Sequence, residues 1–138
     1  MIILIVEDQA LLGMSLTWEL EDAGHTVLGP VSSVAHAQRL AAQHRPDLAL
    51  IDMELQRQNQ GIELARTLRK QFSIPSLMLS SEPSPIREHT DAVLGVISKP
   101  FNPTDIHRSV AVAEVILQGG SPAPRSIPRG LEIFEHLH

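Results

Sequence analysis

The sequence predicts an α/β domain: a doubly wound, five-stranded parallel sheet in the order 2-1-3-4-5. Three observations carry that prediction. Four short apolar runs, at 2–6, 47–52, 76–79 and 93–97, each stop abruptly at charged or hydroxyl residues. Continuously apolar runs of this length are what parallel strands covered on both faces require. Between the runs lie stretches with apolar positions at helical spacing, and strand alternating with helix gives a doubly wound sheet. The chain has 138 residues and no internal repeat. It divides into one domain over 1–118 and a Pro/Gly-rich linker with a short apolar tail over 119–138.

The elements follow in order. The first strand, 2–6, is wholly apolar, as a central strand should be. A helix over 9–23 ends at Gly24, with Leu12, Leu16, Leu20 and Ala23 on the face toward the sheet. Leu11, Met14 and Trp18 form a second stripe on its other side, to be covered by this chain or used as a docking or dimer surface. The second strand, 26–30, carries Pro30 and so belongs at an edge. Ser33 is suited to cap a helix over 34–44 with Val34, Ala37, Leu40 and Ala41 inward. The third strand delivers Asp52, and a loop leads to a helix over 61–72 with Ile62, Ala65, Leu68 and Phe72 in the core. Pro75 opens the fourth strand. Pro83 and Pro85 leave room for only a short fourth helix, about 85–91. A fifth helix runs to Gln118. Its core stripe is Ile106, Val110, Ala113 and Leu117, and Val112, Val115 and Ile116 fall on the opposite face.

Composition removes several functions. Eleven basic against 16 acidic residues give a net charge of −5, which argues against a DNA-binding surface. Without cysteine there is no disulfide and no thiolate metal site. No apolar run is long enough to span a membrane, and the start lacks the basic region of a signal peptide. A cytoplasmic location is therefore expected. The seven histidines are scattered and form no ligand pattern.

What remains is the end of the sheet. Strand one stops at Glu7-Asp8, strand three at Asp52, strand four at Ser80-Ser81 and strand five at Ser98-Lys99-Pro100. Ligands bind at the carboxyl edge of such sheets, so three carboxylates, a hydroxyl and a lysine are expected to converge there. Carboxylates packed so closely repel unless a cation joins them. An all-oxygen set suits a hard divalent ion such as Mg²⁺. The constellation reads as a phosphoryl-transfer site with Asp52 as nucleophile.

These residues, in this order, resemble the receiver domain of a two-component response regulator of single-domain type, with a flavodoxin-like receiver fold over about 1–118. The resemblance implies transfer of a phosphoryl group from a phosphohistidine to Asp52. It implies Mg²⁺ held by Asp8, Asp52 and the backbone carbonyl of Glu54, with Glu7 beside them. Ser80 would bind a phosphoryl oxygen, and Lys99 would pair with its charge through a cis Lys99–Pro100 bond. The implied partner is a sensor histidine kinase or histidine phosphotransfer protein, and the chain would be a phosphoacceptor rather than an enzyme. Val96 stands where the family usually has an aromatic ring that moves with the hydroxyl, so that switch is absent. Glu54 and Glu82 put two further acids at the mouth of the site. Rival readings are a phosphate sink or relay, the front part of a longer regulator, a degenerate interaction module, and an aspartyl phosphatase. The phosphatase lacks its Asp-x-Asp, because the first strand ends in Glu7-Asp8-Gln9. The two-sided fifth helix, with the exposed stripe of the first and the tail residues Leu131, Ile133, Phe134 and Leu137, predicts a homodimer or kinase-docking surface.

Overall fold

The computed structural model describes residues 1–55 and 60–134; Leu137 and the loop residues 56–59 lie outside that range. The elements are β1 (Ile2–Val6), α1 (Ala10–Asp22), β2 (Thr26–Val31), α2 (Val34–His44), β3 (Leu48–Asp52), α3 (Gln60–Phe72), β4 (Ser76–Ser80), β5 (Gly95–Ser98), α4 (Pro103–Leu117) and β6 (Leu131–Ile133). Short 3₁₀ turns occupy Ser84–His89 and Pro124–Ser126. The sheet order is β2-β1-β3-β4-β5-β6. The first five strands are parallel in the expected order, and β6 adds to the β5 edge antiparallel.

Successive strand residues point to opposite faces, and the core divides accordingly. Leu4, Val6, Ala49, Ile51, Met78 and Val96 pack with Ala37 and Ala41 of α2 and Ile62, Ala65 and Leu68 of α3. Ile3, Ile5, Leu48, Leu50, Leu77 and Ile97 pack on the other face with Leu16 and Leu20 of α1 and Ile106, Val110 and Ala113 of α4. Each such valine, leucine, isoleucine or methionine side chain contributes about 1.5–3 kcal/mol by leaving water and each alanine less, and this burial holds the helices to the sheet. Local chemistry sets their ends. The Ser33 hydroxyl accepts from the His36 amide at 3.2 Å to start α2, and Asn102 and Asp105 form a capping box ahead of α4. Gly29, at φ +97°, sits where a Cβ would lie 2.7 Å from the Ile5 carbonyl oxygen. Only glycine fits that close approach of β2 to β1.

Four expectations change. The sheet has six strands rather than five, because the three residues of β6 are too few to show a strand period in sequence. The fourth helix expected over 85–91 is a 3₁₀ segment, Ser84–His89; two prolines within three residues withhold the amides a longer helix needs. Val112, expected on the outer face of the last helix, is only 2% exposed and shares a cluster with Leu131, while Ile127 and Ile133 of the tail pack against the same cluster. Leu117, expected in the core, is exposed at the last residue of α4. Ile116 packs against the same cluster as Val112, whereas Val115 is 37% exposed. The second stripe of α1 is open among the described residues: Leu11 is 83% exposed, Trp18 63% and Met14 44%.

Candidate functional site

The carboxyl ends of β1, β3, β4 and β5 meet at one edge, and the register explains why. Val6 pairs with Ile51, Asp52 with Leu79, and Ser80 with Ser98. Glu7 and Asp8 after β1, Asp52 at the end of β3, Ser80 at the end of β4 and Lys99 after β5 are thereby brought to one level. The structure brings these five residues together at one edge of the sheet.

Asp52 is 2% exposed. Its Oδ1 accepts from the Lys99 ammonium at 2.9 Å and from the Glu54 amide at 2.9 Å. Glu7, Asp8 and Asp52 each offer a carboxylate oxygen, and these atoms lie within 4.8 Å of one another. Glu7 is buried; its Oε2 accepts from the Gln9 amide at 2.9 Å, and its Oε1 has no hydrogen-bond partner among the described residues. Burial, together with the adjoining Asp52 carboxylate, pushes Glu7 up to about 8, against the opposing effect of the Gln9 amide. Burial works against the Lys99 charge, but the Asp52 and Glu54 carboxylates outweigh it and hold the lysine above its ordinary value.

Three clustered carboxylates, one of them with an orphaned buried oxygen, form a donor set that fits a divalent cation. All the donors are hard oxygens.

Ser80 is fully buried. Its hydroxyl lies 3.2 Å from Glu54 Oε2 and 2.9 Å from the Glu82 carbonyl oxygen, and it accepts from the Glu82 amide at 3.0 Å. Glu82 thus meets Ser80 through its backbone, with its side chain in solvent. The Lys99–Pro100 bond is cis, as is Gly29–Pro30.

The sequence did not reveal what the Glu54 side chain does. Rather than standing at the mouth, its carboxylate accepts from Lys99 Nζ at 3.2 Å and from the Ser81 amide at 3.4 Å. The only available signal was an acid two residues beyond a strand-terminal aspartate. Its direction depends on turn torsions that spacing does not encode.

Comparison with known proteins agrees with this arrangement. Residues 3–111 match the family model described as the response regulator receiver domain. The chain is 30% identical over 114 residues to the phyllosphere-induced regulator PhyR of Methylorubrum extorquens, covering 80% of this chain and 42% of that protein. It is 29% identical over 114 residues to the transcriptional regulatory protein PdtaR of Mycobacterium tuberculosis, covering 80% and 55%. The chain therefore spans only about half the length of these curated relatives. Among solved structures, the receiver domain of a modulated diguanylate cyclase from Desulfovibrio desulfuricans superposes with a TM-score of 0.74 at 30% identity, covering 85% of this chain and 95% of that one. The chemotaxis response regulator CheY4 of Vibrio cholerae gives 0.72 at 26% identity, covering 80% and 95%. The family model spans every strand end that forms the site: the chain belongs to the response regulator receiver domains of two-component systems.

Proposed function

We propose that this chain is the phosphoacceptor of a histidine–aspartate phosphorelay and takes up one phosphoryl group on Asp52. The observation that carries the reading is the Lys99–Asp52 contact of 2.9 Å set against Glu7 and Asp8. Asp52 stands at the end of the central strand with the lysine ammonium 2.9 Å from its Oδ1. An Asp52 carboxylate oxygen attacks phosphorus as the P–N bond of a phosphohistidine breaks, and the electron pair leaves with the imidazole. Lys99 pairs with the charge carried by the incoming group, and the Ser80 hydroxyl donates to one of its oxygens.

Mg²⁺ is the cofactor we assign. Asp8, Asp52 and the backbone carbonyl of Glu54 would hold it, with Glu7 beside them. When bound, the ion neutralises the repulsion between carboxylates and phosphoryl oxygens. The phosphodonor is a sensor histidine kinase or histidine phosphotransfer protein, docked on the exposed Leu11–Met14–Trp18 stripe of α1, with a second copy as the competing occupant in a homodimer. The signal passes on by protein contact. No described helix is long and apolar enough to cross a membrane, and we assign the chain to the cytoplasm.

The test is intact-mass measurement after incubation with acetyl phosphate and Mg²⁺. Wild type should gain one phosphoryl group, and Asp52→Asn should gain none. An equal mass gain in the Asn variant would sink the assignment, and unchanged uptake by Asp8→Ala at micromolar metal would remove the metal from the reading.

A further inference from the structure

The donors that would grip a phosphoryl group are not idle. The Lys99 ammonium, the Ser80 hydroxyl and the Ser81 amide all lie within hydrogen-bond distance of one carboxylate, that of Glu54, at 3.2, 3.2 and 3.4 Å. Glu54 Oε1 accepts from Lys99 and Ser81, and Oε2 faces the Ser80 hydroxyl, whose one proton is shared with the Glu82 carbonyl oxygen at 2.9 Å. A carboxylate presents two oxygens and a negative charge to fixed donors much as two oxygens of a phosphoryl group would. Glu54 reaches this position from the turn directly after Asp52, where the Leu55 amide bonds back to the Asp52 carbonyl oxygen at 3.3 Å. Its side chain is 42% exposed, so it has room to swing into water.

Resting on the reading of Asp52 as acceptor, we propose that Glu54 is a built-in competitor of the phosphoryl group. Its carboxylate occupies the anion site of the unphosphorylated protein and must leave before a phosphodonor enters. The donors most affected are small, free, anionic acyl phosphates, which arrive by diffusion against a carboxylate already in place. A phosphohistidine delivered by a docked protein meets the site at high effective concentration and displaces Glu54 more readily. With an acyl phosphate, an Asp52 oxygen forms the new O–P bond as the acyl O–P bond breaks. The acyl carboxylate departs with the electron pair, and no proton need move. Glu54 takes no part in that exchange of bonds. It controls whether Lys99 and Ser80 are available to it, as a specificity-determining residue.

The experiment compares the full chain with Glu54→Gln and Glu54→Ala in Mg²⁺, using acetyl phosphate as donor and intact mass as the readout of uptake. Binding of beryllofluoride, a phosphoryl mimic, is followed in parallel by ¹⁹F NMR as a readout independent of turnover. Removing a negative charge at contact distance from an incoming anion should raise the uptake rate about tenfold and lower the half-saturating beryllofluoride concentration by a similar factor. Wild-type rates and beryllofluoride affinity in both variants, with Asp52 still phosphorylated, would overturn the proposal and leave the acceptor reading standing. No uptake by any of the three proteins would overturn the acceptor reading, and the proposal with it.

Discussion

At Glu7, a buried carboxylate 3% exposed has one oxygen without a partner among the described residues and a second acid beside it. Its pKa of about 8, against 4.5 for a free glutamate, states the cost of ionising it in the metal-free fold. The sign follows from linkage. An acid whose folded pKa is raised binds its proton more tightly when folded, so its penalty is absent below pH 4.5, grows between 4.5 and about 8, and is complete above that. Glu7→Gln should therefore stabilise the metal-free protein little at pH 5 and by on the order of 2 kcal/mol at pH 8.5. Urea unfolding in a chelator at the two pH values measures the difference, and an equal effect at both would contradict it. Adding Mg²⁺ should reverse the order, because the ionised glutamate then faces a cation. At this scale the sequence was largely readable. Glu7, Asp8, Asp52, Ser80 and Lys99 each end an apolar run, and parallel pairing brings such ends to one level. The Glu54 carboxylate was not readable, since one turn torsion decides whether it faces water or Lys99.

Among the elements, β6 departs most from what sequence implied. Leu131-Glu132-Ile133 has one polar residue in three, follows a stretch rich in proline, and would not nucleate a strand alone. It pairs because β5 is prepared for it. Gly95 has no side chain where a Cβ would lie 2.5 Å from the Glu132 carbonyl oxygen and 3.1 Å from Ile133 Cδ1. The Ser98 amide donates to Gly130, and the Phe134 amide donates to Leu94. Arg87 grips both Glu132 oxygens at 2.8–3.0 Å; being exposed, that fork adds little energy and instead fixes register. Gly95→Val puts a good strand former where the backbone has no room for it. We expect it to cost about 1–3 kcal/mol and to speed hydrogen exchange at the Ser98 and Phe134 amides, with β1 and β3 unaffected. Uniform protection in the variant would show that β6 does not depend on that gap. Long-range pairing of this kind leaves almost no local trace, whereas the 3.6-residue stripes of α1, α2 and α3 do.

For the molecule as a whole, the strand order and the placing of the site at one sheet edge were legible, because alternation of strands and helices leaves few ways to wind a parallel sheet. Which faces stay open was not, since that depends on where the tail packs. Val112 of α4 is buried in the cluster that also holds Leu131, while the stripe of α1 is exposed. If a phosphohistidine protein docks there, Trp18→Ala with Leu11→Glu should slow transfer from that protein about thirtyfold, the effect of losing a strong contact point. Uptake from acetyl phosphate should hold at the wild-type rate and stability within about 0.5 kcal/mol. Equal slowing with both donors would mean that the stripe supports the site instead of a partner. The added sixth strand also bears on how the chain is dissected. The family match stops at residue 111, yet the sheet continues to Ile133. A fragment trimmed to the matched length would lose Leu131 from one core face and Phe134 from the other, and would bare the edge of β5. Kinship and mechanical integrity therefore draw two different boundaries, and a fusion partner joined at the first of them would be grafted onto an open sheet.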